Sequence, residues 1–121
     1  MLHDDNRLNF PRKRRLTRPA EFEQVKQKGL AHRGQFLVLS VFHAGGNALR
    51  AGFVTSRTIG RAVVRNRVRR RLREIVRKHR HEITDGTWIV TIARSSAAAA
   101  SYAQLEGEWL RLAGRASILS A

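Results

Sequence analysis

Eleven residues from Arg57 to Arg80 are arginine or lysine, and Glu74 is the single acid among them. The chemistry that so one-sided a run supports is contact with a polyanion. Arginine dominates it, and a guanidinium fork grips a phosphate or a base edge with two hydrogen bonds where lysine offers a point charge. Wound at about 100° per residue, Asn66, Arg69, Arg70, Arg73 and Arg77 gather opposite Val64, Val68, Leu72 and Ile75. A merely solvated face mixes signs and gains pairs three and four residues apart. Here arginines occupy those spacings, so the free helix repels itself.

Other chemistry is poorly supplied. The acids are scattered as Asp4, Asp5, Glu21, Glu23, Glu74, Glu82, Asp85, Glu106 and Glu108, with no pair spaced to hold the ions of a metal-assisted nuclease. His79 and His81 fall on different faces of a helix, and His3, His32 and His43 complete no ligand pattern. No Gly-x-Ser-x-Gly elbow or phosphate-cradling glycine loop appears. Cysteine is absent, which excludes disulfides and thiolate metal sites.

Across 121 residues, 24 Lys and Arg face 9 Asp and Glu, a formal charge of +15 that calls for a polyanionic partner. An apolar share of 42% is nevertheless that of a folded domain, not of a disordered basic tail. The opening residues, Met1 to Asn6, are acidic and polar, unlike a secretory signal, and no apolar run approaches the ~20 residues of a bilayer span. The expectation is a soluble cytoplasmic protein without a membrane partner.

The elements that must position the basic helix follow from turn signals and periodicity. Residues 1–17 form a basic N-terminal segment, 18–116 a single domain and 117–121 a C-terminal tail. Thr17 and Pro19 mark a first helix with Phe22 and Val25 on one side, stopped by Gly29. Residues 36–42 read as a buried strand, Gly45-Gly46-Asn47 as a turn, and 49–55 as a second strand in which Leu49, Ala51 and Phe53 alternate with Arg50, Gly52 and Val54. That arrangement predicts a hairpin. The basic helix runs from Ile59-Gly60 to about His81, and Asp85-Gly86 breaks it before a central strand at 88–93, parallel to a neighbour across the helix. Ser101 and Gln104 form a capping-box pair opening a last helix, whose Tyr102, Leu105, Trp109 and Leu112 pack on the sheet. The order α-β-β-α-β-α describes an α+β sandwich.

Several function classes share these features: an RNA binder inside a ribonucleoprotein, a ribosomal protein, a DNA-binding helix-turn-helix module, or a protein-only nuclease. The third needs a short turn between two helices where this chain has strands, and the fourth needs the carboxylate cluster that is missing.

A longer string is more specific. Ser56-Arg57-Thr58-Ile59-Gly60-Arg61-Ala62-Val63-Val64-Arg65-Asn66-Arg67-Val68-Arg69-Arg70-Arg71-Leu72-Arg73-Glu74 closely resembles the Arg-Asn-Arg motif region of bacterial ribonuclease P proteins. Arg7-Leu8, Glu21-Phe22, Gly29, the strand from Phe36 and Ile92-Ala93-Arg94 extend the resemblance over essentially the whole chain. It implies a small two-layer α/β sandwich in the order αβββαβα, with a four-stranded sheet and a left-handed βαβ crossover, an exception to the right-handed rule. It further implies a non-catalytic protein subunit of an endoribonuclease, partnered by ribonuclease P RNA and precursor tRNA, with no obligate protein partner. Catalysis would reside in the RNA, which would bind Mg2+, with none held by the protein alone. By the same resemblance Arg61, Arg65, Asn66, Arg67, Arg69, Arg70, Arg73 and Arg77 would meet the RNA subunit, and Phe22, Arg57 and Arg94 the single-stranded 5′ leader. Lys26 stands where many relatives carry a second aromatic, and Thr58 replaces a common lysine, so stacking on the leader is expected to be weaker here.

Overall fold

The computed structural model describes Arg15, Leu16 and residues 19–120. Its elements run α1 (Pro19–Lys28), β1 (Leu30–Arg33), β2 (Leu37–His43), β3 (Arg50–Val54), α2 (Ala62–His79), β4 (Thr87–Ala93) and α3 (Tyr102–Arg115), with short 3₁₀ segments at Arg57–Ile59, Arg80–Glu82 and Ser95–Ala99. Thr17, Arg18 and, apart from Arg15 and Leu16, the basic segment 1–17 lie outside the described residues. None of the described helices is long and apolar enough to cross a membrane.

Strand order is β1-β2-β4-β3. The hairpin expected between residues 36–42 and 49–55 therefore does not form, because β4 lies between those strands. β4 pairs antiparallel with all seven residues of β2, from His43↔Thr87 to Leu37↔Ala93, and parallel with β3, from Arg50↔Trp88 to Val54↔Ile92. The two strands that are mostly apolar, β2 and β4, thus take the interior positions bonded on both edges. Gly45 and Gly46, at φ +88 and +78, turn the chain away, and the N–H groups of Ala44 and Gly45 donate to the Gly86 carbonyl at 2.9 and 3.1 Å. The hairpin partner of β2 is β1. That four-residue strand, Leu-Ala-His-Arg, is mostly exposed and carries no apolar signal.

Period-two alternation divides the sheet into two faces. Leu37, Leu39, Val41, Ala51, Ile89 and Ala93 meet Val68, Leu72, Ile75 and Val76 of α2 and Leu105, Trp109, Leu112 and Ala113 of α3. The Trp109 indole N–H donates to Thr91 Oγ1 at 3.3 Å inside this core. On the opposite face Leu16, Val25 and Val90 are buried, with Phe22, Phe42, Val54, Trp88 and Ile92 packed around them, so α1 covers only part of it. The capping box is formed: Gln104 N–H donates to Ser101 Oγ at 3.1 Å and Ser101 N–H to Gln104 Oε1 at 2.9 Å.

Two boundaries move. The α-helix expected to reach His81 ends at His79, and Arg80–Glu82 tightens into 3₁₀ geometry. Residues 117–120, expected to form a tail, belong to the body. Ser117 takes a left-handed φ of 58, which returns the chain after α3, and Ile118 is fully buried. Its carbonyl accepts from Thr84 N–H at 2.8 Å, and Leu119 forms an antiparallel bridge to Ile83.

The turn between β1 and β2 rests on an internal carboxylate. Glu108, 1% exposed, accepts the N–H groups of Gln35, Phe36 and Leu37 at 2.8, 2.6 and 2.7 Å. Gly34 leaves room for it, since a Cβ there would lie 2.4 Å from the Glu108 carboxyl carbon. Three backbone donors, one buried and two part-buried, depend on one side chain, so Glu108→Ala is expected to cost about 2 to 4 kcal/mol from the unmet hydrogen bonds. Urea unfolding followed by circular dichroism measures this, and a loss below about 1 kcal/mol would show that water replaces the carboxylate.

Candidate nucleic-acid interface

Burial of Val68, Leu72, Ile75 and Val76 fixes the rotation of α2, and its cations then sort into three groups. Arg67 and Arg71 turn toward the approach to α3, donating to the carbonyls of Ala98 and Ala100 at 3.3 and 3.1 Å. Asn66 and Arg70 are exposed on the outer side, with Arg61 exposed at the N-cap, whereas Arg77, two turns beyond Arg70 and half-buried, lies close enough to Tyr102 of α3 for its charge to act on the phenol. Arg65, Arg69 and Arg73, each half-buried, follow one another at four-residue spacing on the flank nearer β3.

Within the last group the geometry is specific. Arg69 donates through Nη1 to Asn66 Oδ1 at 3.0 Å and through Nη2 to the buried Thr55 Oγ1 at 2.5 Å. Asn66 therefore orients Arg69 while keeping its own amide hydrogens outward. Arg69 and Arg73 line a hollow of about 150 Å3 with Arg15, Leu16, Phe22, Ala51, Gly52 and Phe53. Burial, and then repulsion from Arg15, Arg69 and Arg70, holds the Arg73 guanidinium below its ordinary value.

Glu74, the one acid of the basic run, points away from this surface toward Tyr102. Burial, together with the Glu74 and Glu106 charges and a hydrogen bond to Glu74, pushes the Tyr102 phenol up to about 12. Glu74 is thus engaged on the α3 side, where Arg77 also acts on Tyr102.

Of the residues expected to touch a single strand, Phe22 packs on the other sheet face. Phe22 lies against Gly52, where a Cβ would sit 2.7 Å from its ring, so only glycine admits the aromatic at this place. Beside it a cleft of about 270 Å3 runs between α1 and the sheet, walled by Phe22, Val25, Ser40, Val54, Val90 and Ile92, with Glu23 and Lys26 also lining it. Arg57 and Arg94 follow the C-terminal ends of the parallel strands β3 and β4, so both stand at one end of the sheet. Arg94 is pinned there, its Nη1 donating to the Gly34 carbonyl at 2.7 Å. Both are exposed, as is Lys26.

The structure thus brings Phe22, Arg69 and Arg73 around one hollow. Arg15 and Phe53, which complete that hollow, carry no sequence signal for the role. Arg71, on the α3 flank, is recoverable from its helical angle. A second convergence also escapes the sequence: the acids read as scattered include Glu82 and Glu106, which meet on His79. Its Nδ1 and Nε2 each lie 2.7 Å from a carboxylate oxygen, Glu82 and Glu106 respectively, and its ring stacks on Trp109 at 6.2 Å. Lys78 pairs with Glu106 at 3.0 Å. This network ties the end of α2 to α3. Among the described residues no group of three or more His, Cys, Asp or Glu is arranged to hold a metal ion.

A small α+β domain that displays an arginine helix beside a half-apolar cleft is the class these features define. The ribonuclease P family model matches residues 10–117. The ribonuclease P protein component of Acidothermus cellulolyticus is 43% identical over 108 residues, covering 88% of this chain and 90% of that protein. Its counterpart in Chloroflexus aggregans is 38% identical over 110 residues, covering 90% and 82%. Among solved structures, the Thermotoga maritima ribonuclease P protein aligns with a TM-score of 0.76 at 27% identity, over 84% of this chain and 96% of that one. The Staphylococcus aureus protein shares the fold with a TM-score of 0.81 at 24% identity, over 88% and 98%. The chain belongs to the ribonuclease P protein family, as a protein subunit of that ribonuclease.

The His79 network sets a pH dependence. Burial alone would lower the imidazole, but the hydrogen bonds and charges of Glu82 and Glu106 outweigh it and the value is raised. Glu82 is lowered chiefly by its hydrogen bond to His79, and Glu106 by hydrogen bonds to His79 and Lys78. A raised imidazole stabilises fully below its unfolded value near about 6.5, and that contribution is lost as pH rises through the folded value. The carboxylates act in reverse, losing theirs as pH falls through their depressed values. Between about pH 6 and 9 the stability of His79→Gln is therefore expected to fall less steeply than that of the parent, measured by urea midpoints. Parallel curves would remove the network from the stability balance.

Proposed function

We propose that this chain binds the RNA subunit of ribonuclease P and the 5′ leader of precursor tRNA, assisting an RNA-catalysed, Mg2+-dependent cleavage that releases the mature tRNA 5′ end. The observation that carries the reading is the pairing of two surfaces on one domain: the arginine-bearing outer side of α2 and the largely apolar cleft under α1. Arg61, Arg70 and Arg77 supply forks for phosphates of the RNA subunit, with Arg65 and Arg67 at the margins. Asn66, its carbonyl engaged by Arg69, offers N–H donors to an acceptor on the RNA. In the cleft a base stacks on Phe22 while Lys26, Arg57 and Arg94 follow the backbone.

Among the described acids, Glu82 and Glu106 are committed to His79, Glu108 to backbone N–H groups and Glu21 to Arg50. Mg2+ is accordingly assigned to the RNA, where it would activate water and stabilise the leaving oxygen. The chain's contribution is to neutralise phosphate where two polyanions meet, which lowers the magnesium needed for assembly. Its partners are the RNA subunit and precursor tRNA, in the cytoplasm, with no further protein required.

Reconstitution tests this. With a bacterial ribonuclease P RNA and labelled precursor tRNA at low magnesium, correct 5′ cleavage is expected only when the protein is present. Replacing Arg61, Arg70 and Arg77 together by glutamine should weaken RNA-subunit binding and flatten the log-log salt slope by roughly 0.7 to 0.9 per lost contact. Unchanged affinity and slope in a variant with a native circular dichroism spectrum would refute the assignment.

A further inference from the structure

The arginines of α2 do not form one surface. Arg70 and Asn66 are exposed on the outer side, whereas Arg69 and Arg73 reach over the edge of the sheet at β3. There they meet Arg15, which is held beside β3 by a bridge to Ala51, with Leu16 N–H donating to the Ala51 carbonyl at 3.0 Å. The floor of this hollow is apolar, made of Leu16, Ala51, Gly52 and the rings of Phe22 and Phe53. Phe22 belongs both to this hollow and to the cleft under α1, so a single ring partitions an arginine-lined space from an apolar one.

We propose that Arg15, Arg69 and Arg73 hold one phosphodiester of the leader strand, adjoining the nucleotide whose base stacks on the cleft side of Phe22, and that Arg69 and Arg73 therefore serve the leader more than the RNA subunit. The inference rests on the reading of the α1 cleft as the leader's site. Single-stranded nucleic acid presents an aromatic-stacking base and an anionic linkage at fixed separation, which is the pattern these neighbouring spaces complement. Arg69 is pre-oriented for the role by Asn66 and Thr55, so little side-chain freedom is lost on binding. Gly52 is part of the design, since any side chain there would push Phe22 out of the partition. Burial, and after it repulsion from Arg15, Arg69 and Arg70, lowers the Arg73 value, which accords with guanidinium groups gathered around one hollow.

A cycle of variants against modified substrates tests this on the assembled holoenzyme. Precursor tRNAs carrying a neutral methylphosphonate at one leader linkage at a time, and mature tRNA without a leader, are bound to holoenzymes made with the parent, Arg73→Gln, Phe22→Ala or Arg70→Gln. Arg73→Gln is expected to lower the preference for precursor over mature tRNA roughly tenfold, the loss of one charge-assisted contact, with RNA-subunit affinity changed less than by Arg70→Gln. One methylphosphonate position should weaken the parent by a similar factor and leave Arg73→Gln unaffected, which marks the shared contact. Arg73→Lys should restore part of the preference, and thermal melting identifies any variant that fails to fold, for which Arg69→Gln substitutes. If Phe22→Ala lowers the preference while Arg73→Gln and Arg69→Gln leave it intact, the phosphate site is wrong and the cleft stands. If none of them alters it, the leader reading itself falls, and a weakening confined to RNA-subunit binding returns Arg69 and Arg73 to the outer surface.

Discussion

Everything in this molecule depends on seating one stripe of α2 beneath the sheet. Alone, a helix with arginines three and four residues apart is destabilised by some tenths of a kcal/mol for each like-charged pair. Against that, Val68, Leu72, Ile75 and Val76 are completely buried, and each such side chain contributes about 1.5 to 3 kcal/mol. Burial wins by several-fold, even after allowing for the compactness of real unfolded chains. The charge on the exposed side can then be kept high without loss of the helix, because helicity is secured by packing and not by local pairing.

The same seating decides what each cation can do. A guanidinium on the α3 flank meets the open carbonyls of the 3₁₀ segment at Ser95–Ala99 and its exit, and Arg67 and Arg71 are drawn there. On the opposite flank the neighbour is the edge strand β3, whose last residue is followed by the Thr55 hydroxyl that receives Arg69. Glu74, which could have neutralised the outer side, is engaged with Tyr102 of α3, and Glu106 of α3 is itself taken up by His79 and Lys78. Positive charge is thus left where α3 cannot reach it. The pattern follows from helical angle and from which elements α2 touches, so it needs no further tuning of individual residues.

Much of this is readable in the residues themselves. The alternation of Leu49, Ala51 and Phe53 with Arg50, Gly52 and Val54, the capping box at Ser101 and the 3.6-residue period of α2 each report a local choice that packing reinforced. Pairing partners are less legible. Gly45-Gly46 between two apolar runs looks like hairpin chemistry, yet the partner of β3 lies beyond α2, and only the competition between whole strands decides that. β1 is short and exposed, so it offers no periodicity to find; the family resemblance supplied a fourth strand where the residues did not. For the site, charge and spacing identified the helix but not its division, since Arg15 and Phe53 join Arg69 and Arg73 only through the topology. Glu108 was unreadable for a related reason: an acid at a buried helical position makes sense only once three backbone donors are seen to converge on it.

The partly open face of the sheet has its own logic. α1 spans ten residues and buries only Val25, so it cannot cover Val54, Trp88, Ile92 and Phe42, which remain partly exposed. A longer or more apolar first helix would close that face and gain stability at about 25 cal/mol for each Å2 removed from water. What this chain has instead is Glu23 and Lys26 lining the cleft, with Phe22 held by Gly52 at the place where cleft and arginine hollow meet. Apolar walls left within reach of solvent and flanked by cations are costly for a protein that only has to fold. They become intelligible when the missing cover is a ligand with flat apolar surfaces strung on an anionic thread, because such a ligand would bury the walls and neutralise the cations in a single event.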